Sequence, residues 1–342
     1  MVSSSQSLSI NPRKTPFKKK AGVAEKTDRF GYLFIAPFLV VFLIFSLYPM
    51  LYSIVISFTG ITGLASTSDP TWNSFANFTH LNSDPRFWSD FLNTLIIFSF
   101  NFIPQIVSAL FFAALFTSRR LRMRGKGVFQ FIYFLPNIIT ASSVAVMFYA
   151  LFQRTGINDN GEVYGGPIYM FFLQVGWISD QENFFLSTWS SRIIIAFIQF
   201  WMWFGNSMII YISGIKGISD DIFESAEIEG ASSGRVFFSI TLPLLKPIML
   251  YSLITSLIGG LQMFDIPYLL NSGGPNMENG LPATETITMY IYNLAFGSGD
   301  YQYSMAAAGS VILFLVSLLC SAALYFFFFR EKKADQPHRG RL

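Results

Sequence analysis

The chain has 342 residues, 52% of them hydrophobic, 18% aromatic and 13% charged, about half the roughly 25% charge of a soluble domain. That balance excludes an ordinary water-soluble domain. The net charge of +3 is dispersed over several segments, so it does not form a nucleic-acid-binding surface. One cysteine, Cys320, excludes an internal disulfide, and two distant histidines, His80 and His338, supply no cluster for a metal ion.

In chain order, residues 1–29 form a basic tail rich in Ser, Lys and Pro, expected to be disordered. A helix crossing the roughly 30 Å hydrocarbon core needs about 20 apolar residues. Six stretches without Lys or Arg meet that length: Gly31 to Phe58, Phe91 to Thr117, Val128 to Phe152, Ile193 to Ile215, Pro247 to Leu270 and Tyr303 to Phe329. The first is about twice as long as the apolar core of a signal peptide and reads as a span. None alternates with the period of two that barrel strands require. The expected fold is therefore all-α, with six transmembrane helices in a membrane domain over residues 30–330. A second tail occupies residues 331–342.

Six spans put both termini on one side. That side carries seven basic residues from Arg13 to Arg29, five from Arg119 to Lys126, three between spans four and five (Lys216, Arg235, Lys246) and five in the C-terminal tail; the other side carries Arg86, Arg154 and Arg192. Twenty against three assigns the termini to the cytoplasm of a multi-pass protein of the plasma or inner membrane. The outer connections hold Trp72, Trp88, Trp177 and Trp189, suited to the headgroup level or to an external partner.

The inner connection over residues 217–246 differs from the others. Ser219, Asp220 or Asp221 can cap a short helix whose first turn is acidic, and Phe223, Ala226 and Ile228 make part of it apolar. Gly230 permits the left-handed residue that ends many helices. A second short helix from Ala231 to Ile240 leads to Pro243 and Pro247, which set the angle of re-entry.

Glu224-Ser225-Ala226, three residues, Gly230, nine residues, then Ile240-Thr241-Leu242-Pro243 resembles the EAA motif of binding-protein-dependent ABC importer permeases. Ser225 departs from the usual alanine. Phe87-Trp88 before Asn93-Thr94, Leu135-Pro136, Gly273-Gly274-Pro275, and Tyr290-Ile291-Tyr292 with Ala295-Phe296 are similar to the maltose- and lactose-type carbohydrate permeases, over roughly residues 30 to 330. The resemblance implies a type I importer fold and a transport subunit without enzymatic activity or cofactor of its own. It implies as partners a second permease, two ATPase subunits, an extracellular solute-binding protein and membrane lipid, with no nucleic acid. The 217–246 loop would be the coupling element, with its apolar side and Glu224 docked on the ATPase and Gly230 providing the bend.

The resemblance also implies sugar-contacting positions at Met202, Trp203, Asn206, Ser256, Gly259, Gly260 and Met263, of which Ser256 keeps the maltose-type residue. Gln199, Met202, Trp203 and Asn206 share one helix face, and Ser252, Ser256, Gly259, Gly260 and Met263 likewise share one. Helix packing competes with sugar contact, above all at the two glycines. Asp265, the one acid inside a stretch, is either a pore residue or a backbone cap where Pro267 interrupts the helix. A neutral mono- or oligosaccharide suits spans lacking cations. A secondary transporter would place ionisable groups at midplane, and a passive scaffold leaves the motif spacing unexplained. The chain also lacks the phosphate loop G-x-x-x-x-G-K-[ST], so any ATP hydrolysis falls to a partner.

Overall fold

The computed structural model describes residues 24–63, 71–118, 124–157, 162–297 and 301–329. The chain divides into two compact units, residues 1–52 and 53–342. Helix α1 (Ala24–Phe42) runs through a π-helical turn, Leu43–Leu47, into α2 (Tyr48–Ile56), whose last four residues belong to the second unit. Helix thus begins inside the tail expected over residues 1–29, because Ala24, Glu25, Lys26 and Arg29 are strong helix formers. The remainder of that tail, the C-terminal tail from residue 330 and residues 119–123 lie outside the described residues.

The second unit contains α3 (Ala76–Ser83), α4 (Pro85–Thr117), α5 (Lys126–Ile138) and α6 (Ala141–Phe152), then a small antiparallel hairpin of β1 (Arg154–Ile157) and β2 (Val163–Gly165). There follow α7 (Pro167–Gln174), α8 (Thr188–Lys216), α9 (Asp220–Ile228), α10 (Ser233–Val236), α11 (Leu242–Leu261), α12 (Asp265–Asn271), α13 (Ile287–Tyr292) and α14 (Tyr303–Phe329). Helices α4 and α8 pair along their length at the centre. Ala109 and Ala113 of α4 meet Met208, Tyr211 and Ile212 of α8 in one part of the core. Ile97 meets Ile194, Ile195 and Ile198 in another. At Gly205 a side chain would collide with the Tyr133 carbonyl, so the missing Cβ lets α8 lie directly on the backbone of α5. Large side chains such as Phe111, Val146 and Leu319 remain exposed on the outside, as an apolar solvent permits.

Five helical segments are long and apolar enough to cross a membrane, and α5 with α6 makes a sixth that bends by 95°. The six expected stretches are thus present, with two corrections. The third is bent: α5 stops two residues after Pro136, Ile139 and Thr140 are extended, and the Thr140 hydroxyl accepts the Ser143 N–H to start α6. The fifth, expected from Pro247 to Leu270 with an interruption at Pro267, is broken earlier, between α11 and α12. Pro267 has no N–H to offer the Met263 carbonyl four residues earlier, and its ring crowds that carbonyl. Helices α4 and α8 also begin six and five residues before their apolar stretches, which brings Arg86, Asp90 and Arg192 into helix.

Candidate functional site

Where α11 breaks, a cavity of about 260 Å³ opens against α4, α8 and α12. All seven positions singled out from sequence line it: Met202, Trp203 and Asn206 on α8, Ser256, Gly259 and Gly260 on α11, and Met263 in the break. Met202 and Met263 are buried in the core behind it, whereas Trp203 leaves 47% of its surface open. Polar groups come from three sides. Asn101 and Gln105 of α4 are buried, and the Gln105 Nε2 donates to Ser207 Oγ at 2.9 Å and Ser256 Oγ at 3.3 Å. Gln199, Thr255 and Gln262 add amide and hydroxyl groups. Asp265 is exposed and lines the cavity, while the N-cap of α12 is Phe264, which makes no side-chain cap. Asp265 thus stands at the cavity wall beside the break. Among the described residues, Lys, Arg and His are absent from the lining.

At one end of the bundle, residues 217–246 form the two short helices expected. Gly230 sits at φ +76°. The Ala231 N–H bonds back to the Ala226 carbonyl at 3.0 Å and the Gly230 N–H to Glu227 at 3.0 Å, the paired bonds of a Schellman stop. Ser232 then accepts from the Arg235 N–H to start α10, and a π-helical turn over Phe237–Thr241 carries Ile240 into α11, whose first turn holds Leu242 and Pro243. Ser225 donates to the Asp221 carbonyl at 2.8 Å within its own helix, so the departure from alanine makes no demand outside it. One expectation needs correction. Phe223 and Ala226, three apart on one face, pack against the chain's own bundle, so they are not the outward apolar side. Ile222 and Ile228, the latter 87% exposed, point away together with Glu224. Between this loop and the ends of α4, α5 and α8 runs a groove of about 860 Å³.

The opposite end is tied by a polar network. The Arg86 guanidinium donates to both Glu285 oxygens at 2.7 to 3.0 Å, and Asn293 donates to Glu285 at 2.6 Å. Arg192, buried over the Trp189 ring, donates to Asn93 at 2.6 Å and to the Ala283 carbonyl at 2.9 Å. Asp90, fully buried, lies 3.8 Å from Arg86. Tyr290 donates to Asp84 at 2.6 Å; burial, and then that bond, push its phenol up, so it stays a donor through the physiological range. The connection after Gly273-Gly274-Pro275 is thereby pinned to α4 and α8.

Residues 105–333 match the family model described as binding-protein-dependent transport system inner membrane component. The chain belongs to that family. It groups with the carbohydrate permeases: it is 34% identical to the lactose transport system permease protein LacF of Rhizobium radiobacter, over 84% of this chain and 91% of LacF. It is 27% identical to the arabinooligosaccharides transport system permease protein AraP of Bacillus subtilis, over 85% of each. In fold it is similar to a chain of a bacterial ABC transporter involved in the import of the acidic polysaccharide alginate, with a TM-score of 0.70, 22% identity, and coverage of 90% of this chain and 97% of that one. The protein is thus a multi-pass inner-membrane permease component of an ABC importer, a transport subunit and not an enzyme.

Two parts of this permease escaped sequence reasoning. Asn101 and Gln105 lie on a largely apolar span, and the signal available was that an amide in lipid must face protein or a cavity. Arg86 and Glu285 are 199 residues apart, and no local pattern pairs them. The structure also separates the two glycines: a Cβ on Gly259 meets nothing within 4 Å, whereas one on Gly260 runs into the Phe98 ring. Gly260→Ala is therefore expected to lower stability by about 1–3 kcal/mol through overpacking, and Gly259→Ala to leave it unchanged. Thermal unfolding of the two detergent-solubilised variants checks this; equal melting temperatures would contradict it.

Proposed function

We propose that this permease forms half of the translocation path of an importer for a neutral mono- or oligosaccharide, delivered by an extracellular solute-binding protein. A second permease completes the path, and two ATPase subunits dock on the cytoplasmic face formed by residues 217–246. The observation that carries the substrate class is the lining of the cavity. Trp203 offers an aromatic face, Asn101, Gln105, Gln199, Asn206, Thr255, Ser256 and Gln262 offer neutral hydrogen-bonding groups, and among the described residues the one charge is the carboxylate of Asp265. A pocket that is part aromatic and part polar suits the faces and hydroxyls of a sugar. An acidic sugar such as alginate would meet a like charge and find no cation. At about 260 Å³, below the usual range for a complete ligand site, the cavity is the size of one wall of a shared path.

The partners rest on family membership and on likeness. The fold is similar to a chain of an alginate transporter solved with an alginate pentasaccharide-bound periplasmic protein, with a TM-score of 0.70. The coupling role of Glu224, Ser225, Ala226, Gly230, Ile240, Leu242 and Pro243 rests on the motif and on the outward set of Glu224, Ile222 and Ile228.

Trp203→Ala and Asn206→Ala are expected to reduce uptake without loss of subunit assembly. A buried hydrogen bond lost to a ligand costs about 1–3 kcal/mol, or roughly five- to 150-fold in affinity. Vesicles holding the purified complex would be tested with radiolabelled neutral di- and oligosaccharides, chosen by screening the parent. Parent-like rate and half-saturation in both variants would place the site elsewhere.

A further inference from the structure

We infer that Thr286 is a positioning residue that holds the cavity wall in shape from the opposite end of the bundle. The helix break exists because Pro267 lacks the N–H that would otherwise serve the Met263 carbonyl. That carbonyl belongs to a residue lining the cavity and 4% exposed, and a buried acceptor without a donor is costly. Thr286 supplies the donor: its hydroxyl, fully buried, donates to the Met263 carbonyl at 2.7 Å. The same oxygen accepts the Met289 N–H at 3.3 Å and so caps α13. One hydroxyl thus joins the break in α11–α12 to the start of α13.

Thr286 is itself held on both sides. Its neighbour Glu285 is gripped by Arg86 of α4 and by Asn293. The Ala283 carbonyl is gripped by Arg192 of α8, and the Ile287 N–H donates to the Thr94 hydroxyl at 2.9 Å. Displacing residues 283–287 therefore reaches the cavity lining directly, through the Thr286 hydroxyl to the backbone of Met263. Anything that moves this connection moves the cavity wall, whatever solute the cavity takes.

The test involves no sugar, so its outcome is separate from that of the transport reading. In a Cys320→Ser background, Gly259→Cys places a thiol where the cavity is open, and Ser83→Cys places one on the exposed end of α3. N-ethylmaleimide labelling of the purified full-length chain is followed with Thr286 intact, with Thr286→Val, which keeps the shape and loses the donor, and with Thr286→Ser, which keeps the donor. Thr286→Val is expected to speed labelling at position 259 by roughly fivefold or more, with position 83 unchanged and Thr286→Ser restoring the parent rate. Equal rates at position 259 in all three backgrounds would overturn the inference. So would a parallel rise at both positions in Thr286→Val, which marks general loosening, or failure of Thr286→Ser to rescue.

Discussion

Gly230→Pro is expected to abolish co-purification of the ATPase subunits while the permease still inserts in the membrane. The native residue sits at φ +76°, and proline is confined to about −65°. Proline also removes the N–H that reaches the Glu227 carbonyl, one of the two bonds that close α9. Losing the conformer and the bond together costs about 3 kcal/mol or more, enough to shift a docking-competent loop by a factor of roughly 100. The damage is local, since no Cβ contact surrounds Gly230 within 4 Å. Glu224→Ala should weaken the same association less, because it deletes one exposed side chain and leaves the helix stop intact. Pull-down of the ATPase through a tag on the permease measures both; an undiminished yield with Gly230→Pro would remove residues 217–246 from the coupling role.

Arg86→Ala is expected to be the most destabilising single change at the opposite end. Glu285 is 2% exposed and receives two arms of the Arg86 guanidinium, with fully buried Asp90 beside it. Removing the cation leaves two neighbouring carboxyl groups with Asn293 as a side-chain donor to Glu285. Breaking a buried pair typically costs about 3–5 kcal/mol; because 43% of the Arg86 side chain is exposed, water screens part of it, and a loss of about 2–3 kcal/mol is expected. Arg86→Lys should fall between, since a point charge cannot reproduce the forked contact. Thermal unfolding of detergent-solubilised protein distinguishes the three; equal stability of Arg86→Ala and the parent would show that the network contributes nothing to the fold.

The amino-acid sequence alone determined what one-dimensional spacing can encode. Apolar runs of about 20 residues specify spans because an unpaired backbone cannot stay in lipid. The stop at Gly230 was legible for a similar reason, since it depends on bonds between residues at most five apart. The seven cavity positions were reachable through helical spacing and family likeness, yet their convergence on one space was not, because it depends on how α8 and α11 are rotated against each other.

Tertiary structure decided the rest, wherever the deciding partner is distant in sequence. Gly259 and Gly260 are adjacent and chemically identical, and only the approach of Phe98 makes one a packing residue and the other a piece of open wall. Pro267 predicts that the Met263 carbonyl loses its helical donor, but Thr286 becomes the replacement only once α13 folds back across the break. Phe223 and Ala226 turned inward because the chain's own bundle offers them an apolar surface, a competition for the same helix face that the pattern of α9 cannot express.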